Sequence, residues 1–274
     1  MKFKGLAIVC SVSLLLISLL VTGCESSKPN SNLASQVPNT LPITSPAANP
    51  TASPSPTSQQ TTFAAPRIDT NVALLTSAIL GKTDGWFVYL NNGKVEVYHS
   101  TDSGKTWIQG TLPTKLGWEQ SIQQQNIFTS WHIAQEGPSW ILLTSDPAAG
   151  QMLKTLYHTT DNGKTWTMLT DVSFTISGYV TGMTFRNKTN GWIAASSHSS
   201  ILLPLYRTKN GGETWGIQSI AIPKDYKYGN PQAPVFDLTQ PDNGTLQIEF
   251  VNDNKKEIFN YTTKDGGETW EEKK

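Results

Sequence analysis

Cysteine is nearly absent: the 274 residues contain two, Cys10 and Cys24. Everything after residue 24 lacks a thiol. That excludes disulfide staples and thiolate zinc sites downstream, so the fold there is held by packing alone. Arginine is scarce as well, limited to Arg67, Arg186 and Arg207. The 21 basic residues are balanced by 21 acidic ones, which leaves no basic excess and no expectation of a nucleic-acid partner. No loop has calcium-hand spacing and there is no Cys/His cluster, so neither a metal nor a cofactor is expected.

Long apolar runs are missing except at the start. Met1-Lys2-Phe3-Lys4 is short and basic, Gly5 to Leu20 is apolar, and Val21-Thr22-Gly23-Cys24 supplies small residues before a cysteine. The run is short for a membrane span, which takes about 20 apolar residues, and it ends as a secretory signal ends. Small residues followed directly by Cys resemble the bacterial lipobox. That resemblance implies cleavage before Cys24, acylation of its thiol (a palmitate-type lipid) and a domain anchored on the extracytoplasmic side of a bacterial cell membrane. An ordinary signal with a chance cysteine, or an uncleaved anchor, are the alternatives. The expected division is a signal peptide over 1–23, a lipid-anchored tether over 24–66 and a folded domain over 67–274.

The tether is expected from composition. Ser, Thr, Pro, Asn, Ala and Gln fill Glu25 to Pro66, and too few side chains there could bury apolar surface to offset the entropy of ordering. A random coil of that length spans about 30–40 Å.

Four related segments follow. Tyr98 to Trp107, Tyr157 to Trp166, Tyr206 to Trp215 and Tyr261 to Trp270 share the form Tyr-x-[Ser/Thr]-x-[Asp/Asn]-x-Gly-x-Thr-Trp. Their defining positions are Asp102, Gly104 and Trp107; Asp161, Gly163 and Trp166; Asn210, Gly212 and Trp215; and Asp265, Gly267 and Trp270. The tryptophans lie 59, 49 and 55 residues apart, about the size of one four-stranded propeller blade. A Gly-Trp turn precedes two of the boxes, at Asp84-Gly85-Trp86 and Asn190-Gly191-Trp192, with degenerate copies near Trp140 and Gly244. Each repeat reads strand, turn, strand, loop, strand, box, strand. Asp or Asn beside Gly makes a tight turn, because the short side chain accepts backbone N–H groups and Gly takes positive φ. The Trp that follows has a large ring to bury and an indole N–H to satisfy. Asn210 keeps the acceptor and drops the charge, which favours turn-making over metal binding or proton transfer.

The boxes resemble the Asp-box, or bacterial neuraminidase repeat, of sialidases, sortilin-type receptors and the photosystem II assembly factor family, over roughly residues 67–274. The resemblance implies an all-β fold: a β-propeller of about four Asp-box blades, each a four-stranded antiparallel sheet. It does not carry function, because in that superfamily the box is a structural hairpin away from the binding face. Those families usually close more blades than four. Two outcomes are therefore expected, a compact four-bladed ring or a partial ring that needs a partner edge. A strand over Arg67 to Leu75 is one means of closure. An open arc without a partner is disfavoured because bare sheet edges aggregate.

Strand order places the Gly-Trp turns and the boxes at one end of each blade. The irregular segments gather at the other: Leu112 to Gln125, Asp146 to Lys154, Ser196 to Leu203 and Ala221 to Ala233. Variable loops on a rigid scaffold are where function is usually carried. The candidate binding face is accordingly Trp118, Met152, His198, Tyr226 and Tyr228, with packing under the loops as the plainer reading. His99 and His158 precede two boxes, where Arg207 and Thr262 stand in the others, and are read as strand residues. The function these features favour is a membrane-anchored binding or assembly module for a protein or glycan partner. The alternatives are a sialidase-like glycoside hydrolase, which would need all three arginines around one carboxylate, and a purely structural envelope protein.

Overall fold

A computed structural model describes residues 63–68, 72–114, 122–131, 137–148, 152–198 and 201–273. All of them fall in one compact unit, Ser58–Lys274. The readings made for residues 1–62, including Cys24 and most of the tether, lie outside the described residues, as does Trp118.

The described chain is all β apart from one 3-10 turn at Gln124–Asn126. Blade 1 is β1 (Ala73–Leu80), β2 (Asp84–Asn91), β3 (Lys94–Ser100) and β4 (Ile108–Thr111). Blade 2 is β5 (Ile127–Ser130), β6 (Ser139–Thr144), β7 (Lys154–Thr159) and β8 (Thr167–Asp171). Blade 3 is β9 (Tyr179–Phe185), β10 (Gly191–Ser196), β11 (Leu205–Thr208) and β12 (Gly216–Ile217). Blade 4 is β13 (Tyr228–Pro231), β14 (Val235–Phe236), β15 (Gly244–Val251), β16 (Lys256–Thr263) and β17 (Glu271–Glu272). Each sheet is antiparallel and runs in chain order, the up-and-down meander of a propeller blade. In blade 4 the inner strand is interrupted: β13 and β14 pair with opposite ends of β15. Pro234, which has no N–H to give a ladder, lies in the gap.

Three apolar clusters hold the blades together, one per seam. The first joins blades 1 and 2 through Trp86, Val88, Val97, Ile141 and Tyr157. The second joins blades 2 and 3 through Trp140, Leu142, Leu156, Phe185 and Ile193. The third joins blades 3 and 4 through Trp192, Leu205, Ile248 and Phe250. The central strand of each inner blade is buried along nearly its whole length, because it is covered on both faces.

A closed ring needs a fourth seam, and among the described residues no apolar cluster, hydrogen bond, ion pair or ring contact joins blade 4 to blade 1. The outward side of blade 4 carries Thr245, Gln247, Asn260 and Thr262, with Val235 and Ile258 exposed on it as well. Of the segment considered for closure, Arg67 to Leu75, residues 69–71 lie outside the described residues. β1 begins at Ala73 and pairs with β2 in its own blade.

Blade 1 is completed from upstream instead. In blades 2 to 4 an aromatic from the end of the inner strand meets the box Trp edge-on or tilted: Trp131 with Trp166 at 6.5 Å, Phe185 with Trp215 at 6.0 Å, Phe236 with Trp270 at 6.1 Å. In blade 1 that place is taken by Phe63, 5.9 Å from Trp107 and stacked on Phe87. Ala64 N–H adds a hydrogen bond to Ser103 O, 3.2 Å. Phe63 and Ala64, ahead of the boundary expected at residue 67, thus pack on blade 1.

Candidate functional site

The two ends of the blades differ in kind, and the box end is built for rigidity. In every box the first hydroxyl donates to the Asp or Asn oxygen two residues on: Ser100 to Asp102 (2.8 Å), Thr159 to Asp161 (2.8 Å), Thr208 to Asn210 (2.9 Å) and Thr263 to Asp265 (2.7 Å). The same hydroxyl accepts the N–H of Gly104, Gly163, Gly212 or Gly267 at 2.9–3.0 Å. The acid then accepts the backbone N–H of Thr106, Thr165 or Thr269, as Asn210 does from Thr214. Gly163 has φ +85°, and a Cβ there would stand 2.8 Å from the ring of Trp86 in the preceding blade, so the position admits only glycine.

These bonds set the charge state. Hydrogen bonds from Thr106 and then Ser100 hold the Asp102 carboxyl down at about 2. Thr269 and Thr263 hold Asp265 well below the usual carboxylate range. Burial works to raise Asp161, but the donors on Thr165 and Thr159 outweigh it and the net shift is downward. An acid fixed as an anion by its own turn has no proton to give at neutral pH. Asn210 repeats the geometry without a charge, its Nδ2 donating to Thr214 Oγ1 at 2.9 Å.

Boxes 2 to 4 are also gripped, each by the blade before it. Trp86, Trp140 and Trp192 pair across strands with His99, His158 and Arg207. Trp86 stacks on His99 at 3.7 Å, and Arg207 lies over Trp192 at 5.0 Å. His99 Nδ1 meets Asn162 O at 3.0 Å, Trp140 Nε1 donates to Gly211 O at 3.0 Å, and Arg207 donates to Gly267 O at 3.1 Å. All three acceptors are backbone carbonyls of the next box. The histidines are seam residues, and their replacement by Arg207 keeps a donor in place. In blade 4 the corresponding pair is Thr245 and Thr262, and neither reaches a further box.

The loop end is unequal around the array. Blade 1 turns from β2 to β3 through Asn92 (φ 49°) and Gly93 (φ 77°), a two-residue hairpin. Blade 4 turns through residues 252–255. The long connections belong to blades 2 and 3, and they enclose a cleft of about 350 Å³ lined by Ser145, Ala148, Met152, Leu153, Ser173, Phe174 and Ser177. The link from β8 to β9 builds its rim. Val172 and Ile176 are fully buried in the seam between blades 2 and 3, and the N–H groups of Thr175 and Ile176 both return to Val172 O. Phe174 is left at the apex of that turn, 97% exposed. Leu153 (47%) borders the same cleft, and Ile201 (88%) protrudes from the β10–β11 loop at the same end.

Behind the cleft floor lies Lys154, fully buried, its ammonium donating to Met152 O at 2.9 Å. Burial lowers its pKa to about 8, with Asp171 opposing the shift. The adjacent Ser173 accepts Lys154 N–H at 2.8 Å.

The candidate binding residues fare differently. Met152 is buried in the blade 2–3 cluster, its sulfur accepts Val180 N–H at 3.3 Å, and it lines the cleft as its floor rather than as a projecting contact. Tyr228 is likewise a strand residue, opening β13 opposite Val251, where His198 stacks on it at 4.6 Å. Tyr226 packs on Phe250 and Phe259, donates to Glu257 and lies under Lys255. Phe174, Leu153 and Ile201 were not singled out from the sequence. The signal available was a run from Val172 to Tyr179 without a charge, which also reads as an ordinary strand.

The arginines do not converge. Arg186 binds Asp242 at 2.6 Å and Pro241 O, and Arg207 binds Glu268 at 2.6 Å, both across the box end of the blade 3–4 seam. Arg67 lies in the segment before β1. Among the described residues no cluster of three His, Cys, Asp or Glu could hold a metal ion.

The family model for the BNR/Asp-box repeat matches residues 157–168, the second box. No curated protein matches the chain. Among solved structures, the GH74 enzyme of Niastella koreensis is similar at 12% identity and a TM-score of 0.41, covering 73% of this chain. This chain spans only 38% of that enzyme's length. An endo-arabinase from Bacteroides thetaiotaomicron is similar at 15% identity and a TM-score of 0.38, over 72% of this chain and 78% of its own. With four antiparallel meanders, a box at the same turn of each and the repeat model on the second, the folded domain is an Asp-box β-propeller of four blades.

Proposed function

We propose that the chain is an extracytoplasmic recognition module, held to a bacterial membrane through an acylated Cys24, whose propeller binds its partner at the loop end of blades 2 and 3. One observation carries this reading: Phe174, 97% exposed, stands at the rim of a preformed cleft. A protruding aromatic over a concave apolar floor is the anatomy of a binding hot spot, and it costs the free domain solvation with no return in packing. A sialidase-like reaction is supported less, because Arg186 and Arg207 are committed to carbonyls and carboxylates of the seam.

The test is site-specific photo-crosslinking in living cells, with the photoreactive side chain at position 174 in one strain and at position 164, in a box turn, in another. A discrete adduct from 174 and none from 164 is the expected result. Equal adducts from both positions, or none from 174, would overturn the assignment of the face.

A further inference from the structure

The loop end of blades 2 and 3 has a composition of its own. Phe174 and Ile201 are 97% and 88% exposed, on separate connections of neighbouring blades, and Leu153 adds a third apolar side chain. Around them charge is nearly absent. Residues 172–179 and 196–205 contain no Asp, Glu, Lys or Arg, and residues 145–153 contain only Asp146, which accepts from Asn126 at 3.1 Å. Serines fill the remainder: Ser145, Ser173, Ser177, Ser196 and Ser197. At the loop end of blade 4 charges are matched in sign, as Lys227 with Asp253, Lys255 with Glu257 and Lys256 with Glu249.

Single apolar side chains held at the tips of rigid turns, with hydroxyls between them and no charge to desolvate, suit entry into the headgroup–acyl boundary of a bilayer. A protein hot spot more often pairs its aromatic with a charged or polar rim. The chain outside the described residues adds a second argument. If Cys24 carries the lipid, 38 residues from Glu25 to Thr62 separate it from the domain, a chain length that would reach about 30–40 Å even as a random coil. That segment enters at the box end, through Ala64 on Ser103. A blade eight residues tall measures about 26 Å, so the tether is long enough for the opposite end to meet the membrane that holds it.

We infer that the loop end of blades 2 and 3 docks on a lipid surface, with Phe174 and Ile201 inserting as apolar anchors. This deepens the recognition reading and rests on it. The matched charges of blade 4 make the contact insensitive to lipid charge and to salt.

The experiment uses the mature chain from residue 24 with Cys24→Ser, which removes the acyl group but keeps tether and domain. It is sedimented with vesicles of phosphatidylcholine alone and of phosphatidylcholine with phosphatidylglycerol, at low and high salt. Binding to both vesicles at both salts is expected. The double variant Phe174→Ser/Ile201→Ser should weaken it at least about tenfold, while Ile217→Ser on the box side of β12 leaves it unchanged. Because both residues are exposed, the double variant keeps the parent's melting temperature, which is measured alongside. No sedimentation of the parent, binding equal in the double variant, or binding confined to anionic vesicles and abolished by salt would each overturn the proposal. If vesicles fail while a photoreactive group at 174 still yields a protein adduct, the lipid inference falls and the recognition face stands.

Discussion

The box end and the loop end of this domain use the same strands for opposite purposes. At the box end each turn is held by its own hydroxyl and its Asp or Asn, and a carbonyl of each of boxes 2 to 4 is held by the preceding blade. At the loop end of blades 2 and 3 the backbone is equally well anchored, through Val172 and Ile176, yet the apex side chain packs on nothing. The difference teaches where a side chain's cost is borne. A residue gripped from two blades contributes stability and is closed to a ligand. A residue left 97% exposed contributes almost none and stays free to bind.

Trp140 offers the largest break in that comparison. Its ring is 1% exposed and stacks on Phe185 at 3.7 Å, and its indole N–H holds Gly211 O. Trp140→Ala should cost about 3–5 kcal/mol of unfolding free energy in a denaturant titration. A cost under 1 kcal/mol would mean that the blade 2–3 seam is not where stability resides.

Lys154 comes next, with the sign reversed. The ammonium is fully buried without an ion pair among the described residues, so Lys154→Met should stabilise the domain by about 1–3 kcal/mol at pH 7. A lysine whose folded pKa lies near 8 binds fewer protons when folded than unfolded between about pH 8 and 10.4. Wild-type stability should therefore rise across that window, and the advantage of the Met variant should shrink. A constant advantage from pH 7 to 10 would contradict a buried charged lysine.

The third contrast lies within the box end itself. Asp102, Asp161 and Asp265 have lowered pKa values, so their contribution is present above about pH 4 and is lost as pH falls toward about 2. The box built on Asn210 has no acid to protonate. Changing the three acids to Asn should flatten the fall in melting temperature between pH 4 and 2, as read by circular dichroism. An unchanged acid slope would place the sensitivity elsewhere.

The smallest effect belongs to the loop end. Phe174→Ser should change unfolding free energy by less than about 0.5 kcal/mol. A larger loss would show that the ring packs in solution, and it would take the binding face with it.

Much of the box end was legible in the sequence, because its geometry is local. Asp102 to Trp107 sets its turn with residues inside one hairpin, and four copies announce the period. The equivalence of His99, His158 and Arg207 was also visible, but its reason was not. His99 and Arg207 reach the next blade's box carbonyl, a contact between residues 60 or more apart in the chain, while beside His158 it is Trp140 that does so. The loop end was legible only in outline. The β6–β7 and β10–β11 connections fall in expected segments, but the β8–β9 link was not among them and Ala221 to Ala233 holds β13, while Met152 and Tyr228, chosen by type, lie in a seam and a strand. Aromatic or sulfur character says what a side chain can bind, not which way its backbone turns it. Phe174 depends on Val172 and Ile176 both finding the core, and no local pattern marks that. Phe63 escaped notice for the opposite reason, being one ring at the end of a featureless run.

That ring has a mechanical consequence. Phe63 and Ala64 are where the segment leading into the domain first takes hold, through a ring edge on Trp107 and one hydrogen bond to Ser103. Tension along that segment would meet blade 1 one contact at a time, as a peel, before it reached any paired strand. If Cys24 anchors the chain as proposed, a pull along that segment loads the Phe63 and Ala64 contacts before it loads a paired strand.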